Sequence, residues 1–228
     1  MATVPSTPSG GTSPRLAELF STERLILRED LQQDKRAALL AVVRMFNDFE
    51  VPYVITGGLA AQLYSDQPRM TVDVDVVSLR PAFKALQEAC PWARYGCELV
   101  LDRRRYVKLK HVASNVEIDI NLDTRFARLL EGPTHEVVDG QTVPFASAVG
   151  IAFTKLRTQR SDWPRDPIKR VKDRADLMAI LRGYPEVAEA LRTDPMTTDE
   201  MRRILDDILG DLRKPSSDEL PPEDEEVE

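Results

Sequence analysis

The stretch from Tyr53 to Val77 restricts the possible folds of this chain more than any other segment. An apolar run, Val51 to Thr56, has the signal of a buried strand and ends in Gly57–Gly58. Leu59 to Tyr64 then carries the spacing of a short helix, and Val72 to Val77 is a second, β-branched strand that contains Asp73 and Asp75. Side chains two apart in a strand share a face, so Asp73 and Asp75 point one way while Val72, Val74 and Val76 point into a core. Two carboxylates on one face repel unless a cation lies between them, and oxygen ligands of this kind suit Mg²⁺ or Mn²⁺. A strand-to-helix junction opened by a glycine pair is a natural seat for a phosphate. Metal carboxylates beside such a seat point to chemistry on a nucleotide. The bland alternative is a pair of solvent-facing acids on a half-exposed strand, because an isolated Asp-x-Asp is a weak motif.

The rest of the chain supplies the partners that this motif needs. Val116 to Leu122 alternates, with Val116, Ile118, Ile120 and Leu122 on the core side and Glu117, Asp119 and Asn121 on the other. Asp119 is thus placed to join Asp73 and Asp75 from a strand distant in sequence. Glu98 to Leu101 and Tyr106 to Leu109 read as antiparallel strands, and Asp139-Gly140 marks a tight turn between strands 135–138 and 142–145. Helical spacing covers about 28–50 and a helix opened by Pro81. After Phe145 the chain turns helical. Ser147 or a neighbour caps a helix running to about Gln159, Pro167 opens another to Leu181, and two more follow at 185–192 and 198–209.

Composition sets the frame around these elements. A chain of 228 residues with 42% apolar side chains buries a real core. The net charge of −7 is concentrated at residues 213–228, where seven acids meet two bases. Residues 1–20, rich in Ser, Thr, Pro and Gly, are expected to be disordered, as is the acidic stretch 213–228. Between them we expect a core over 21–145 and a helical part over 146–212 that closes a cleft. Cys90 and Cys97 show no ligand spacing and read as buried structural thiols of a reducing compartment. With no basic-then-apolar leader and no run near the roughly 20 residues of a membrane span, a cytoplasmic protein without membrane contact is expected.

Three further groups carry charge at suggestive spacing. Lys155 sits in the helix after Ser147, beside Phe153 and Leu156; spacing alone makes it a surface lysine. Asp173 and Asp176, three apart, share a helix face. Arg103, Arg104, Arg105, Lys108 and Lys110, with Arg157, Arg160, Arg165, Lys169 and Arg170, are either a polyanion surface or ordinary solvated cations. His111 and His135 have no ligand partner at useful spacing, and Trp92 and Trp163 read as packing residues.

In order along the chain stand Gly57-Gly58-Leu-Ala, Arg69-x-Thr71-x-Asp73-x-Asp75, Asp119 in a strand, Lys155, and Lys172-Asp173-x-x-Asp176-Leu177. This order resembles the nucleotidyltransferase superfamily, in particular its AbiEii-type and MenT-type toxin enzymes, over about residues 35–182. The resemblance implies an α/β (α+β) fold: a small mixed sheet flanked by helices, with a helical C-terminal part. It implies transfer of an NMP from an NTP to an acceptor hydroxyl, with Mg²⁺ or Mn²⁺ held by Asp73, Asp75 and Asp119. Asp119 would be third ligand or general base. Thr56, Gly57, Gly58, Arg69, Thr71 and Lys155 would bind the nucleotide, and Lys155 and Asp173 would join the catalytic set. An RNA acceptor, foremost a tRNA 3′ end, and an antitoxin protein are the implied partners. A protein hydroxyl or a small antibiotic is the second choice of acceptor. One departure stands out: many members have Gly-Ser at the turn, whereas this chain has Gly58. That departure motivates a second reading, a lapsed nucleotide- or partner-binding module. A third, an antitoxin-like interaction protein, rests on the acidic tail alone.

Overall fold

In the computed structural model of the chain, residues 29–65, 71 and 73–214 are described, residues 29–32 by their backbone only. Arg69, Val72, the first 20 residues and the acidic stretch beyond Lys214 lie outside these. The chain divides into two compact units, one ending at Ile151 and one beginning at Ala152.

The first unit is built on one mixed sheet. In chain order its elements are α1 (Glu29–Asp48), β1 (Tyr53–Thr56), α2 (Gly57–Leu63), β2 (Asp73–Ser78), α3 (Arg80–Ala89), β3 (Cys97–Arg103), β4 (Tyr106–His111), β5 (Val116–Asn121), β6 (Thr134–Val138) and β7 (Gln141–Phe145). Two 3₁₀ turns, Trp92–Tyr95 and Thr124–Leu130, complete it. The seven strands lie in the order β3-β4-β5-β2-β1-β7-β6, so β2 is near the centre. It pairs antiparallel with β1 and parallel with β5.

Alternation sorts the strand side chains. Val74 and Val76 of β2, Val107 and Leu109 of β4, and Ile118 and Ile120 of β5 are fully buried. They form the apolar face expected of period-two patterning. α1 contributes Leu39, Val42, Val43 and Phe46 to this core. The Phe46 ring lies 4.8 Å from Tyr53 and 5.8 Å from Phe83, and Phe83 stacks on Trp92 at 6.2 Å. Burying that many rings and branched side chains stabilises the unit by about 1.5–3 kcal/mol per large side chain. The opposite face keeps the polar residues of the same strands.

Two glycines are required by geometry. Asp139 and Gly140 both have positive φ, +49° and +74°, which is what a two-residue turn twisted to match its strands demands. At the β1–α2 junction, Gly57 has φ +63°, a region costly to a side chain.

The second unit is helical. The helix α4 (Ala148–Thr158) leads into it, followed by α5 (Pro167–Gly183), α6 (Glu186–Thr193) and α7 (Asp199–Arg213). The Ser147 hydroxyl accepts from the Gly150 amide at 3.2 Å at the start of α4. Asp166 caps α5 by accepting from Lys169 N at 3.1 Å, with Pro167 in the first turn. Thr198 does the same for α7 through Met201 N at 3.3 Å. Leu177, Ile180, Leu181, Leu191, Leu205 and Ile208 are its buried core.

Cysteine placement departs from expectation. Cys97 is buried, but Cys90 is exposed. It is the C-cap of α3, in the left-handed conformation, where the chain leaves the helix for solvent. Among the described residues, no helix is long and apolar enough to cross a membrane.

Candidate active site

Register decides which side chains of the polar face meet. In the β2–β5 pair Asp75 stands opposite Asp119 and Asp73 opposite Glu117. In the β4–β5 pair Lys108 stands opposite Asp119 and Tyr106 opposite Asn121. Like charges directly opposed destabilise a sheet, so this placement needs compensation. Asp73, Asp75 and Asp119 each offer an oxygen, all within 4.8 Å of one another, and all three residues are half-buried. Trans oxygens around a Mg²⁺ ion are about 4.2 Å apart, twice the metal–oxygen distance, and Mn²⁺ or Ca²⁺ needs somewhat more. The donor set is all oxygen and anionic, so a hard divalent cation fits it.

The chain adds its own donors around these carboxylates. The Thr71 hydroxyl, 7% exposed, donates to Asp73 Oδ1 at 3.1 Å. Lys35 of α1 is attracted by Asp73, while burial, the larger effect, pulls its ammonium below the ordinary lysine range. The Tyr106 hydroxyl donates to Asp119 Oδ1 at 2.5 Å. Burial first, then that hydrogen bond and the fields of Asp119, Glu117 and Asp75, push the phenol well above its ordinary value. Lys108 Nζ donates to Glu117 and lies 3.3 Å from Asp119 Oδ1, and the Glu117 contact chiefly raises its pKa.

The glycine turn interlocks with this cluster. A Cβ on Gly57 would run into the Asp75 carboxylate, with Asp75 Cγ only 2.5 Å away. A Cβ on Gly58 would sit 2.5 Å from Thr71 Oγ1 and 2.8 Å from Thr71 Cβ. The space of a side chain at position 58 is therefore filled by the Thr71 hydroxyl. Thr56 pairs across β1–β2 with Asp75. The structure thus brings together Asp73, Asp75, Asp119, Thr56, Gly57, Gly58 and Thr71, while Arg69 lies outside the described residues.

Lys155 and Asp173 belong to the second unit and meet each other there. Lys155, 7% exposed, is no surface lysine: its Nζ lies 2.5 Å from Asp173 Oδ1 and 2.7 Å from Asp176 Oδ2. Arg165 reaches Asp173 Oδ2 from the other side at 2.7 Å. Asp173 and Asp176 share a face, as three-residue spacing requires, but that face is turned inward to hold cations.

The ten expected surface cations do not behave as one class. Lys108 serves the carboxylates. Arg157 is buried, its guanidinium 4.5 Å from the Trp163 ring centroid. Arg170 donates to the carbonyls of Gln159, Arg160 and Trp163 at 3.0, 2.7 and 3.0 Å. Arg103, Arg104, Arg105 and Lys169 remain exposed.

Sequence reasoning missed Tyr106, Lys108 and Glu117 as neighbours of the site. A signal existed: residues 112–115 form the turn between β4 and β5. Pairing back from a four-residue turn sets Lys108 opposite Asp119.

No protein-family profile matches the sequence, and no curated protein matches it by sequence. Solved structures do. An antigenic nucleotidyltransferase-like protein from Paracoccidioides brasiliensis superposes with a TM-score of 0.53 at 19% identity, covering 78% of this chain and 88% of its own. ANT(2″)-Ia in complex with adenylyl-2″-tobramycin matches at TM-score 0.47 and 14% identity, covering 76% and 97%. JHP933 from Helicobacter pylori matches at 0.44 and 16%, covering 82% and 94%. The likeness to the Paracoccidioides protein, with a mixed sheet flanked by helices, gives this chain the nucleotidyltransferase fold.

Proposed function

We propose that the chain is a metal-dependent nucleotidyltransferase that moves an NMP from an NTP to an acceptor hydroxyl. The observation that carries the reading is the convergence of Asp73, Asp75 and Asp119 from two strands within 4.8 Å. These three carboxylates would hold Mg²⁺ or Mn²⁺, which when bound would neutralise phosphate charge and lower the acceptor hydroxyl's pKa. In the transfer, the acceptor oxygen bonds to the α-phosphorus and the bond from that phosphorus to pyrophosphate breaks. The hydroxyl proton passes to a carboxylate oxygen. Asp119 would serve as third ligand or as the acceptor of that proton, and the Tyr106 hydroxyl orients its carboxylate by donating to Oδ1. The Thr71 hydroxyl and the backbone amides at Gly57 and Gly58 would face the phosphates. Thr56 and Arg69 are nucleotide-side residues of the same reading.

Lys155 enters as the cation for the pyrophosphate end, oriented by Asp173. Its support is its position in the motif order, and its ammonium is held within the second unit by Asp173 and Asp176. The further assignment is a toxin of the AbiEii or MenT type acting on RNA, foremost a tRNA 3′ end, and held in check by an antitoxin protein. It rests on the resemblance of the Gly57 to Asp75 element and the order of the later motifs. Thr71 places a hydroxyl beside the turn that lacks one, which weakens the main motive for the lapsed-module reading.

Incubation with each labelled NTP, Mg²⁺ and total RNA tests the activity. Transfer by the wild type and none by Asp73→Ala or Asp119→Asn is expected. A wild type that binds NTP without metal dependence and labels no acceptor would establish the binding module instead. Growth arrest on expression, lost in Asp73→Ala, tests the toxin assignment separately.

A further inference from the structure

We propose that Lys108 is a built-in counter-ion of the carboxylate site, a positioning residue that shifts fully onto Glu117 when a divalent cation binds and thereby sets metal affinity. This rests on the metal reading above. Four carboxylates, Asp73, Asp75, Glu117 and Asp119, stand on one face of β2 and β5 in like-charge register. The ammonium of Lys108 reaches two of them at once, Glu117 and Asp119. A cation at the three aspartates would share Asp119 with this ammonium, and two positive charges a few ångströms apart repel strongly. Asp119 keeps the Tyr106 hydroxyl at 2.5 Å as its neutral anchor, so it stays oriented when Lys108 withdraws. Glu117 is the waiting acceptor: its side chain is 52% exposed, against 22% for Asp119, and it already accepts from Lys108. Glu117 is thus given a role through Lys108 and not as a metal ligand.

The double-mutant cycle in Mn²⁺ affinity tests this. Free Mn²⁺ is titrated by its electron paramagnetic resonance signal against the full chain at fixed ionic strength, with thermal melts as fold control. Lys108→Met should bind Mn²⁺ roughly three- to tenfold more tightly, a screened charge effect. Glu117→Gln should bind several-fold more weakly, because the ammonium then has only Asp119. Glu117→Gln should weaken binding less in the Lys108→Met background than in wild type, and Lys108→Arg should stay near wild type. Equal effects of Glu117→Gln in both backgrounds would overturn the proposal, as would unchanged affinity in Lys108→Met. A wild type that binds Mn²⁺ no better than Asp73→Asn overturns the metal reading, and this inference with it.

Discussion

The interlock between Gly58 and Thr71 gives a sharp test of the site's geometry. A methyl group at position 58 would meet Thr71 Oγ1 at 2.5 Å and Thr71 Cβ at 2.8 Å. Both are below any ordinary contact. Thr71 is β-branched and stiff, and 7% exposed. Gly58→Ala should therefore cost about 1–3 kcal/mol of overpacking. That is offset in part by the roughly 0.5–1 kcal/mol that Ala gains over Gly in a helix. Removing the obstacle isolates the clash, since the helix gain cancels in a double-mutant cycle. Thr71→Gly should couple to Gly58→Ala by about 1–3 kcal/mol in the favourable direction. Thr71→Ala should recover only part, because its Cβ remains in the way. Urea unfolding of the two Thr71 variants, Gly58→Ala and both doubles supplies every term. Additivity within about 0.5 kcal/mol would refute the interlock. Equal rescue by Ala and Gly at 71 would refute its geometry. Gly57→Ala serves as the contrast: its φ of +63° leaves about 1–2 kcal/mol of backbone strain that no second substitution removes.

Other expectations follow from the same structure. Asp173, 1% exposed, holds both the buried Lys155 and the half-buried Arg165, so Asp173→Asn should destabilise in urea unfolding, by less than the roughly 3–5 kcal/mol of a fully broken buried pair because Lys155 keeps Asp176. Burial holds the His111 imidazole below its ordinary value of 6.5, partly opposed by Asp34. The unfolded chain therefore takes up this proton more readily, and the stability due to this site is present above about pH 6.5 and falls away below it. Urea midpoints at pH 7.5 and 5.5 should differ more in wild type than in His111→Gln, and parallel behaviour would count against it. Burial pushes the Cys97 thiol up to about 11, whereas Cys90 is exposed. A thiol reagent at pH 8 should thus titrate one cysteine in the native chain and two in urea, and native labelling should vanish in Cys90→Ser.

How far the site could be read in the sequence depended on whether a residue's role was local. The period of two fixed Asp73 and Asp75 on one face, and Asp119 on the polar face of its own strand, because alternation needs no knowledge of neighbours. Pro167 and Asp139-Gly140 were legible for the same reason: each suits the backbone of its own few residues. The burial of Lys155 was not legible from spacing alone, because its environment is set by Asp173 and Asp176, a helix away, and buried lysines are rare unless paired. Cys90 was misplaced because burial habit says nothing of a C-cap that turns outward. Lys108 is the most instructive miss. Grouped by composition with Arg103, Arg104, Arg105 and Lys110, it looked like one more charge for a polyanion. Strand register instead sets it opposite Asp119, where it answers a repulsion that β2 and β5 create between them. A strand that places acids opposite acids must find a cation somewhere, and a residue carried by the next strand is the nearest source. The lysine is therefore better understood as part of the carboxylate cluster's electrostatics than as part of the surface.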